Sequence, residues 1–225
     1  MDLNIYTLCR SGNHAIIFWL INNICPIEDS IQGACYWNTT EKLYFYNNCN
    51  HIPYYFVTDY KYMIKSYEDM NFEDSNIGVN NIVIVRDFTN FIASRYKKYG
   101  NNLGLNDSYL LKYEQIRDLW INLCNKVINN KAIGIIYDKW VISKDYRDSI
   151  SNRLGIENSV DNTSFVSDIG EGSSFCGVQL EKSCDAYFNR FTKDLFANNY
   201  DLYEKILDDY ENNKEIKNIR EILFN

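Results

Sequence analysis

The chain opens with an apolar run of strand length, which is followed at once by a short polar loop and then by large apolar side chains at helical spacing. The strand begins at Leu3, the loop spans residues 9–14, and the helix continues to about Asn22, ahead of Pro26. This pattern predicts a strand, a loop and a helix N-terminus. The first backbone N–H groups of a helix lack internal partners and lie at the positive end of its dipole, so the arrangement favours an anion site.

The residues of this loop have the side chains that an anion site requires. Gly12 allows the backbone to approach an anion closely, and Arg10 adds a charged donor with fork geometry. Ser11, Asn13 and His14 can add side-chain hydrogen bonds. A plain connecting turn between strand and helix is the alternative interpretation.

Two more specific kinds of phosphate loop do not fit the sequence. A Walker loop needs a second glycine and a lysine, and neither is present. A phosphatase-type thiolate loop needs a cation a few residues after its cysteine, whereas Cys9 is followed by Ala15 and apolar neighbours at that distance.

A second strand–turn–helix unit is predicted in the middle of the chain. Residues 81–85 form the clearest buried strand, Arg86 follows it, and apolar side chains from Phe88 to Tyr96 lie on one face of a helix that ends near Tyr99. The other predicted elements are strands near Leu43–Tyr46, Tyr54–Val57, Tyr60–Lys65 and Ala132–Tyr137, helices at Ser108–Asn129 and about Lys144–Leu154, the latter capped by Gly155, and two or three acidic, surface-facing helices within Leu195–Asn225. Strands alternating with helices predict an α/β fold with a parallel sheet covered on both faces.

Composition narrows the class of protein. With 225 residues, 46% of them hydrophobic, we expect a single domain over residues 1–225. The net charge of −7 argues against a broad nucleic-acid face, so we expect no nucleic-acid partner. Because the chain begins inside its first strand and has no apolar stretch of membrane length, we expect no signal peptide, no membrane span and a cytoplasmic location.

The cysteines and histidines offer little material for a metal site. There are seven cysteines without a C-x-x-C pair, which are expected to be free thiols in an intracellular protein. Only two histidines are present, and Cys49 with His51 is the nearest approach to a zinc site. We therefore expect no metal.

Together, two of these segments resemble motifs of the sulfotransferases that use 3′-phosphoadenosine 5′-phosphosulfate (PAPS). The loop from Arg10 to His14 resembles the 5′-phosphosulfate loop of that family, a basic residue followed by Ser-Gly and two small hydrogen-bonding residues. Arg86, with Ser94 eight positions later, is similar to the family's 3′-phosphate motif, in which both residues hold that phosphate. The resemblance implies a three-layer fold related to the P-loop NTPases, PAPS as cofactor, adenosine 3′,5′-bisphosphate as product, and no metal.

Weaker similarities continue towards the end of the chain. Tyr137-Asp138 is similar to the family's Tyr-Glu-Asp segment, and residues 173–175 resemble a Thr-Ser-Phe segment that contacts adenine. By this resemblance Ser174, Phe175 and Tyr137 would lie near the adenine, and Arg190 would close on the 3′-phosphate. The chain departs from the family at Ala15, where cytosolic members often have an aromatic residue, and at Phe88, where the family has proline.

The resemblance implies in-line transfer of a sulfuryl group from PAPS to an acceptor hydroxyl or amine, for which a small molecule or a glycan is expected. Such a reaction needs a base for the acceptor proton and cations for the developing charge, and Arg10 and Lys65 suit the second task. The family's catalytic histidine is absent here, and Glu68 lies one residue beyond its expected position. We expect Glu68 to be the base, and the alternatives are Asp69, His51 and His14.

Two other functions remain open from the sequence. One is a non-catalytic nucleotide-binding module of the same fold, because the base is not fixed. The other is a P-loop-like kinase, against which the absence of a Walker lysine counts. The acceptor itself cannot be read from the residues.

Overall fold

A computed structural model describes residues 2–24, 35–38, 42–45, 63–69, 81–100, 112–156 and 190–225. The strands are β1 (Asp2–Thr7), β2 (Cys35–Asn38), β3 (Lys42–Phe45), β4 (Met63–Glu68), β5 (Asn81–Val85) and β6 (Ile133–Ile136). The helices are α1 (Asn13–Ile24), α2 (Phe88–Tyr99), α3 (Tyr113–Ile128), α4 (Tyr137–Ile142), α5 (Lys144–Leu154), a 3-10 turn (Asp194–Phe196), α6 (Tyr200–Asn212) and α7 (Lys214–Leu223).

The strands form one sheet in the order β3-β2-β4-β1-β5-β6. Every neighbouring pair is parallel except β2 and β3, which pair antiparallel at one edge. From β1 the chain crosses to the β2 side of the sheet, whereas from β5 it continues outwards to β6 on the other side. In open α/β sheets such a reversal opens a crevice at the carboxyl ends of the strands, here between β1 and β5. The predicted α/β fold with a parallel sheet is confirmed.

Helices cover both faces of the sheet because its central strands alternate between two apolar cores. On β1, Leu3 and Ile5 pack with α1, α4 and α5, whereas Tyr6 packs on the opposite face with α2, α3, α6 and α7. On β5, Ile82 and Ile84 belong to the first core, and Val83 and Val85 belong to the second. Both faces of these strands are therefore buried, as expected for a parallel sheet.

Several predicted elements agree with the structure. The strand at residues 81–85 and the helix that follows it are present, and α5 ends at Leu154 with Gly155 in the left-handed conformation at φ 68°. The first helix extends to Ile24, slightly beyond the expected end. The edge strand β3 lies one residue from its predicted place.

Other predicted boundaries were wrong. The strand expected to end at Lys65 continues to Glu68, because residues 66–68 pair with β1 despite their polar side chains. Tyr137 begins α4 and does not end a strand, and Asp138 lies in the same helix. The long helix begins at Tyr113, since Lys112 has extended backbone angles. The strand expected at residues 54–57 lies outside the described residues.

Within the described part of the chain, no helix is both long enough and apolar enough to span a membrane.

Candidate functional site

The loop after β1 turns tightly into α1. Arg10 and Gly12 both have positive φ, 74° and 85°, so the backbone passes twice through the left-handed region. The Ser11 amide donates to the Leu8 carbonyl at 3.1 Å, which closes the turn, and α1 begins directly afterwards at Asn13. Ser11 and Asn13 are buried, and Arg10 is partly exposed. The loop thus places the N-terminus of α1 at the crevice between β1 and β5.

Gly12 is packed against the aromatic ring of Tyr137. A Cβ atom at Gly12 would collide with the Tyr137 ring, so only glycine fits both the positive φ and the space. The guanidinium carbon of Arg86 lies 4.8 Å from the centre of the same ring, at cation–π distance. The loop after β1, the turn after β5 and the start of α4 after β6 therefore meet at Tyr137.

Arg86 is 2% exposed and lies immediately after β5. Its carbonyl accepts a hydrogen bond from Trp120 Nε1 at 2.8 Å. The next amide, that of Asp87, donates to Asp138 Oδ2 at 2.7 Å. Burial raises the pKa of Asp138, and the positive charge of Arg86 opposes that shift. The Asp138 carboxylate is thus buried close to Arg86 and helps to fix the turn that carries this arginine.

The start of α2 is fixed by a side-chain cap. Asp87 Oδ1 accepts hydrogen bonds from the Asn90 amide at 3.1 Å and from Thr89 Oγ1 at 2.8 Å. The predicted phosphate residue Ser94 lies further along α2 and is buried. Ser94 therefore lies on a helix whose start is fixed at the turn that contains Arg86.

Arg190 lies beside α2 although it is distant in sequence. Its backbone N–H donates to Asn90 Oδ1 at 3.2 Å, and its side chain is buried. Asn90 precedes Ser94 by one helical turn. In the structure Ser94 thus lies on α2, Arg190 lies beside α2, and Arg86 lies in the turn before it.

Glu68 lies at the carboxyl end of β4, beside the N-terminus of α1. It is 6% exposed and accepts a hydrogen bond from Asn13 Nδ2. Its Oε1 atom is 3.8 Å from Nε2 of His14. A carboxylate and an imidazole, two kinds of side chain that act as general bases in enzymes, are therefore adjacent at the predicted anion loop.

Asp69, one of the alternative bases, has a different environment. Its carboxylate accepts from Arg95 Nη1 at 2.7 and 2.9 Å and from the Cys9 amide at 3.0 Å. Both carboxylate oxygens of Asp69 are thus engaged by protein donors, which leaves them less accessible to a substrate. Of the two neighbouring carboxylates, Glu68 is the better candidate.

Cys9 lies in the loop but is not an activated thiol. Burial raises its pKa to about 12, and the negative charge of Glu68 adds to the shift. Its sulfur lies 3.4 Å from the Tyr99 hydroxyl, and burial likewise raises the pKa of Cys124. A nucleophilic cysteine needs a lowered pKa, so this environment argues, with the sequence, against a thiolate loop.

Some predicted site residues cannot be compared with the structure. Ser174, Phe175, His51 and Cys49 lie outside the described residues, and Lys65 is described only as a backbone position that pairs with Asn4 and Trp37. In the segments that are described, no group of three or more histidine, cysteine or acidic side chains is arranged to hold a metal.

Sequence reasoning gave no role to Arg95 or Trp120 and treated Asp138 only as part of a motif. Arg95 lies in a helix whose apolar face is buried. The sequence signal that could have indicated its role was a charged residue directly after Ser94. Trp120 lies within the helix predicted at Ser108–Asn129, and its indole N–H donates to the Arg86 carbonyl.

These elements define a parallel α/β protein with basic and hydroxyl side chains collected at the carboxyl edge of its sheet. Comparisons with protein-family models, with curated proteins and with solved structures find no match for the chain.

Proposed function

We propose that the protein is a PAPS-dependent sulfotransferase that transfers a sulfuryl group to a hydroxyl of a small molecule or glycan. The observation that carries the proposal is the contact of Gly12 and of Arg86 with the same Tyr137 ring at the β1–β5 crevice, which brings together two units with side chains suited to anions. One unit is the loop from Arg10 to Gly12 with the start of α1, and the other is Arg86 with Ser94. PAPS carries an anionic group at each end of its ribose, so two separate anion sites suit it better than one.

In this proposal each end of the nucleotide has its own binding group. The α1 N-terminus and Arg10 bind the phosphosulfate, because helix N-terminal amides and a guanidinium both stabilise anions. Arg86, Ser94 and Arg190 bind the 3′-phosphate. Tyr137 lies between the two groups, packed against Gly12 and Arg86, and by the family resemblance it would lie near the adenine.

Glu68 is proposed as the base that removes the acceptor proton. It lies beside the N-terminus of α1, where the phosphosulfate is proposed to bind, and is held there by Asn13. Arg10, and Lys65 on the same strand as Glu68, would stabilise the charge that develops as the sulfuryl group leaves. His14, close to Glu68, is the alternative base.

A non-catalytic nucleotide-binding module would keep the same binding residues without turnover. A P-loop-like kinase is less favoured, because the loop has no Walker lysine. Transfer of radiolabelled sulfate from PAPS to a panel of glycans and phenols separates an active enzyme from the binding module.

Binding of the product nucleotide tests the proposed site directly. Adenosine 3′,5′-bisphosphate should raise the melting temperature far more than AMP, because only the bisphosphate has a 3′-phosphate for Arg86 and Ser94. Arg86→Ala should abolish this difference. Arg147→Ala, which removes a buried arginine from α5, should retain it. Equal shifts with both nucleotides in the unmutated protein would refute the assignment.

A further inference from the structure

The loop after β1 is tied to α2 by a buried ion pair that the proposed chemistry does not use. Asp69 follows β4, and Arg95 lies on α2, 26 positions later. The Arg95 side chain is 0% exposed and the Asp69 side chain 10% exposed. Both oxygens of Asp69 accept from the same guanidinium nitrogen, at 2.7 and 2.9 Å.

Both members of this pair also bond to the backbone of Cys9. The Cys9 amide donates to Asp69 Oδ1 at 3.0 Å, and the Cys9 carbonyl accepts from Arg95 Nη1 at 3.2 Å. The Asp69 amide donates to the Thr7 carbonyl at 3.1 Å, which continues the β1–β4 pairing by one residue. Both backbone groups of Cys9 are thus held from outside the loop.

The fixed backbone of Cys9 constrains the conformation of Arg10, the next residue. Arg10 has a φ of 74°, a conformation that costs a side-chain-bearing residue free energy and persists only where surrounding contacts impose it. The contacts at Cys9 are hydrogen bonds to charged groups, which are stronger than neutral ones. Arg95 also directly follows Ser94 on α2.

We propose that Asp69 and Arg95 are positioning residues that hold the Arg10–Gly12 loop in its anion-binding conformation and fix its distance from Arg86 and Ser94 on the α2 unit. The assignment of the loop to the 5′ end of the nucleotide rests on the proposed function, whereas the hold on the loop conformation does not. Asp69 is accordingly a support of the site and not its base.

A double substitution separates loop positioning from simple charge balance. Asp69→Asn alone leaves Arg95 buried without its counter-charge, which destabilises a protein for reasons unrelated to the loop. Asp69→Asn with Arg95→Met removes both charges at similar volume, so that no unpaired charge is left buried. The matched control is Asp209→Asn with Arg117→Met, which removes a partly buried pair between α6 and α3, far along the chain from the loop.

Hydrogen exchange of the full-length protein is the first measurement. The amides of residues 10–12 should exchange about tenfold faster or more in the Asp69–Arg95 double variant, the effect of losing a hydrogen bond to a charged group. Amides of β5 should be unchanged, and the control variant should leave the loop unchanged. Loop exchange equal to that of the unmutated protein would overturn the proposal, whether or not any nucleotide binds.

Nucleotide affinity is the second measurement. The ratio of the Kd values for adenosine 3′-monophosphate and adenosine 3′,5′-bisphosphate reports the contribution of the 5′-phosphate. In the double variant this ratio should fall about tenfold while the 3′-monophosphate Kd stays nearly constant, because only the loop is released. An unchanged ratio would overturn the positioning role. Failure of the unmutated protein to bind either nucleotide would refute the proposed function, and the exchange result would then decide loop positioning alone.

Discussion

Gly12 shows how a single residue sets the geometry of the candidate site. Its backbone is left-handed, and the space where a side chain would begin is filled by the Tyr137 ring. Gly155 has a similar φ of 68°, but a Cβ there would meet nothing within 4 Å. The two glycines therefore separate the cost of the backbone conformation from the cost of the collision.

Gly12→Ala should destabilise the protein more than Gly155→Ala. Both changes carry the cost of about 1–2 kcal/mol for alanine in the left-handed region. Gly12→Ala should add about 1–3 kcal/mol, because the new methyl group overlaps the Tyr137 ring in a packed site. Urea unfolding of the two variants measures the difference. Equal losses would mean that Tyr137 moves aside without cost.

Substitution of Glu68 tests the proposed role of its carboxylate as the base. Glu68→Gln keeps an oxygen that can accept from Asn13 but cannot take a proton. Sulfuryl transfer from PAPS to an acceptor found by the panel should fall by about 10²–10⁴-fold, the usual contribution of a general base. Affinity for adenosine 3′,5′-bisphosphate should change little.

The matched control is Glu114→Gln, which alters an exposed glutamate at the start of α3 that pairs with Lys205 of α6. It should leave sulfuryl transfer unchanged. If Glu68→Gln also retains full transfer, Glu68 is not the base, and His14 becomes the residue to substitute next.

At the scale of elements, the sequence predicts best where one signal dominates. The strand at residues 81–85 is apolar at four consecutive positions and buried throughout, and Asp87 is a typical N-cap residue for the helix that follows. Strand β4 was misjudged because Ser66 and Glu68 are polar. Both residues pair with β1, and Ser66 also pairs with β2, which keeps them in the sheet by a tertiary effect that no local pattern contains.

The same difference applies to the candidate site. Arg10, Arg86 and Ser94 were proposed from motifs, because each motif is local and follows a predictable strand. The Asp69–Arg95 pair was not identified, since its members are joined only when β4 and α2 pack on β1 and β5. Arg190 was proposed from resemblance alone, and its placement beside Asn90 depends on a contact across 100 positions of sequence.

For the whole molecule, charge is distributed unevenly between surface and interior. The chain carries a net charge of −7, yet Arg86, Arg95, Arg147 and Arg190 are all buried. Three of these arginines lie on α2, next to it or in the turn before it. Buried cations can attract a polyanionic ligand locally even in a chain whose net charge is negative.

Buried thiols and tyrosines give the whole molecule a predictable response to alkaline pH. Burial raises the pKa of Cys9 to about 12 and also raises those of Cys124, Tyr99 and Tyr113. The folded state therefore keeps protons that the unfolded chain releases. This stabilisation is complete below the unfolded pKa, which is 9.0 for a thiol, and is lost as the pH rises towards the folded pKa.

The free energy of unfolding should thus fall steadily above about pH 9, by up to about 1.4 kcal/mol per pH unit for each group within its window. Urea unfolding at several pH values between about 7 and 10.5 measures the slope, since that interval spans the unfolded pKa values of both residue types. Cys9→Ala removes one titrating group and should make the slope shallower by about one group's share, whatever its effect at neutral pH. An identical slope in Cys9→Ala would show that the Cys9 thiol titrates alike in the folded and unfolded states, and so is not buried as described.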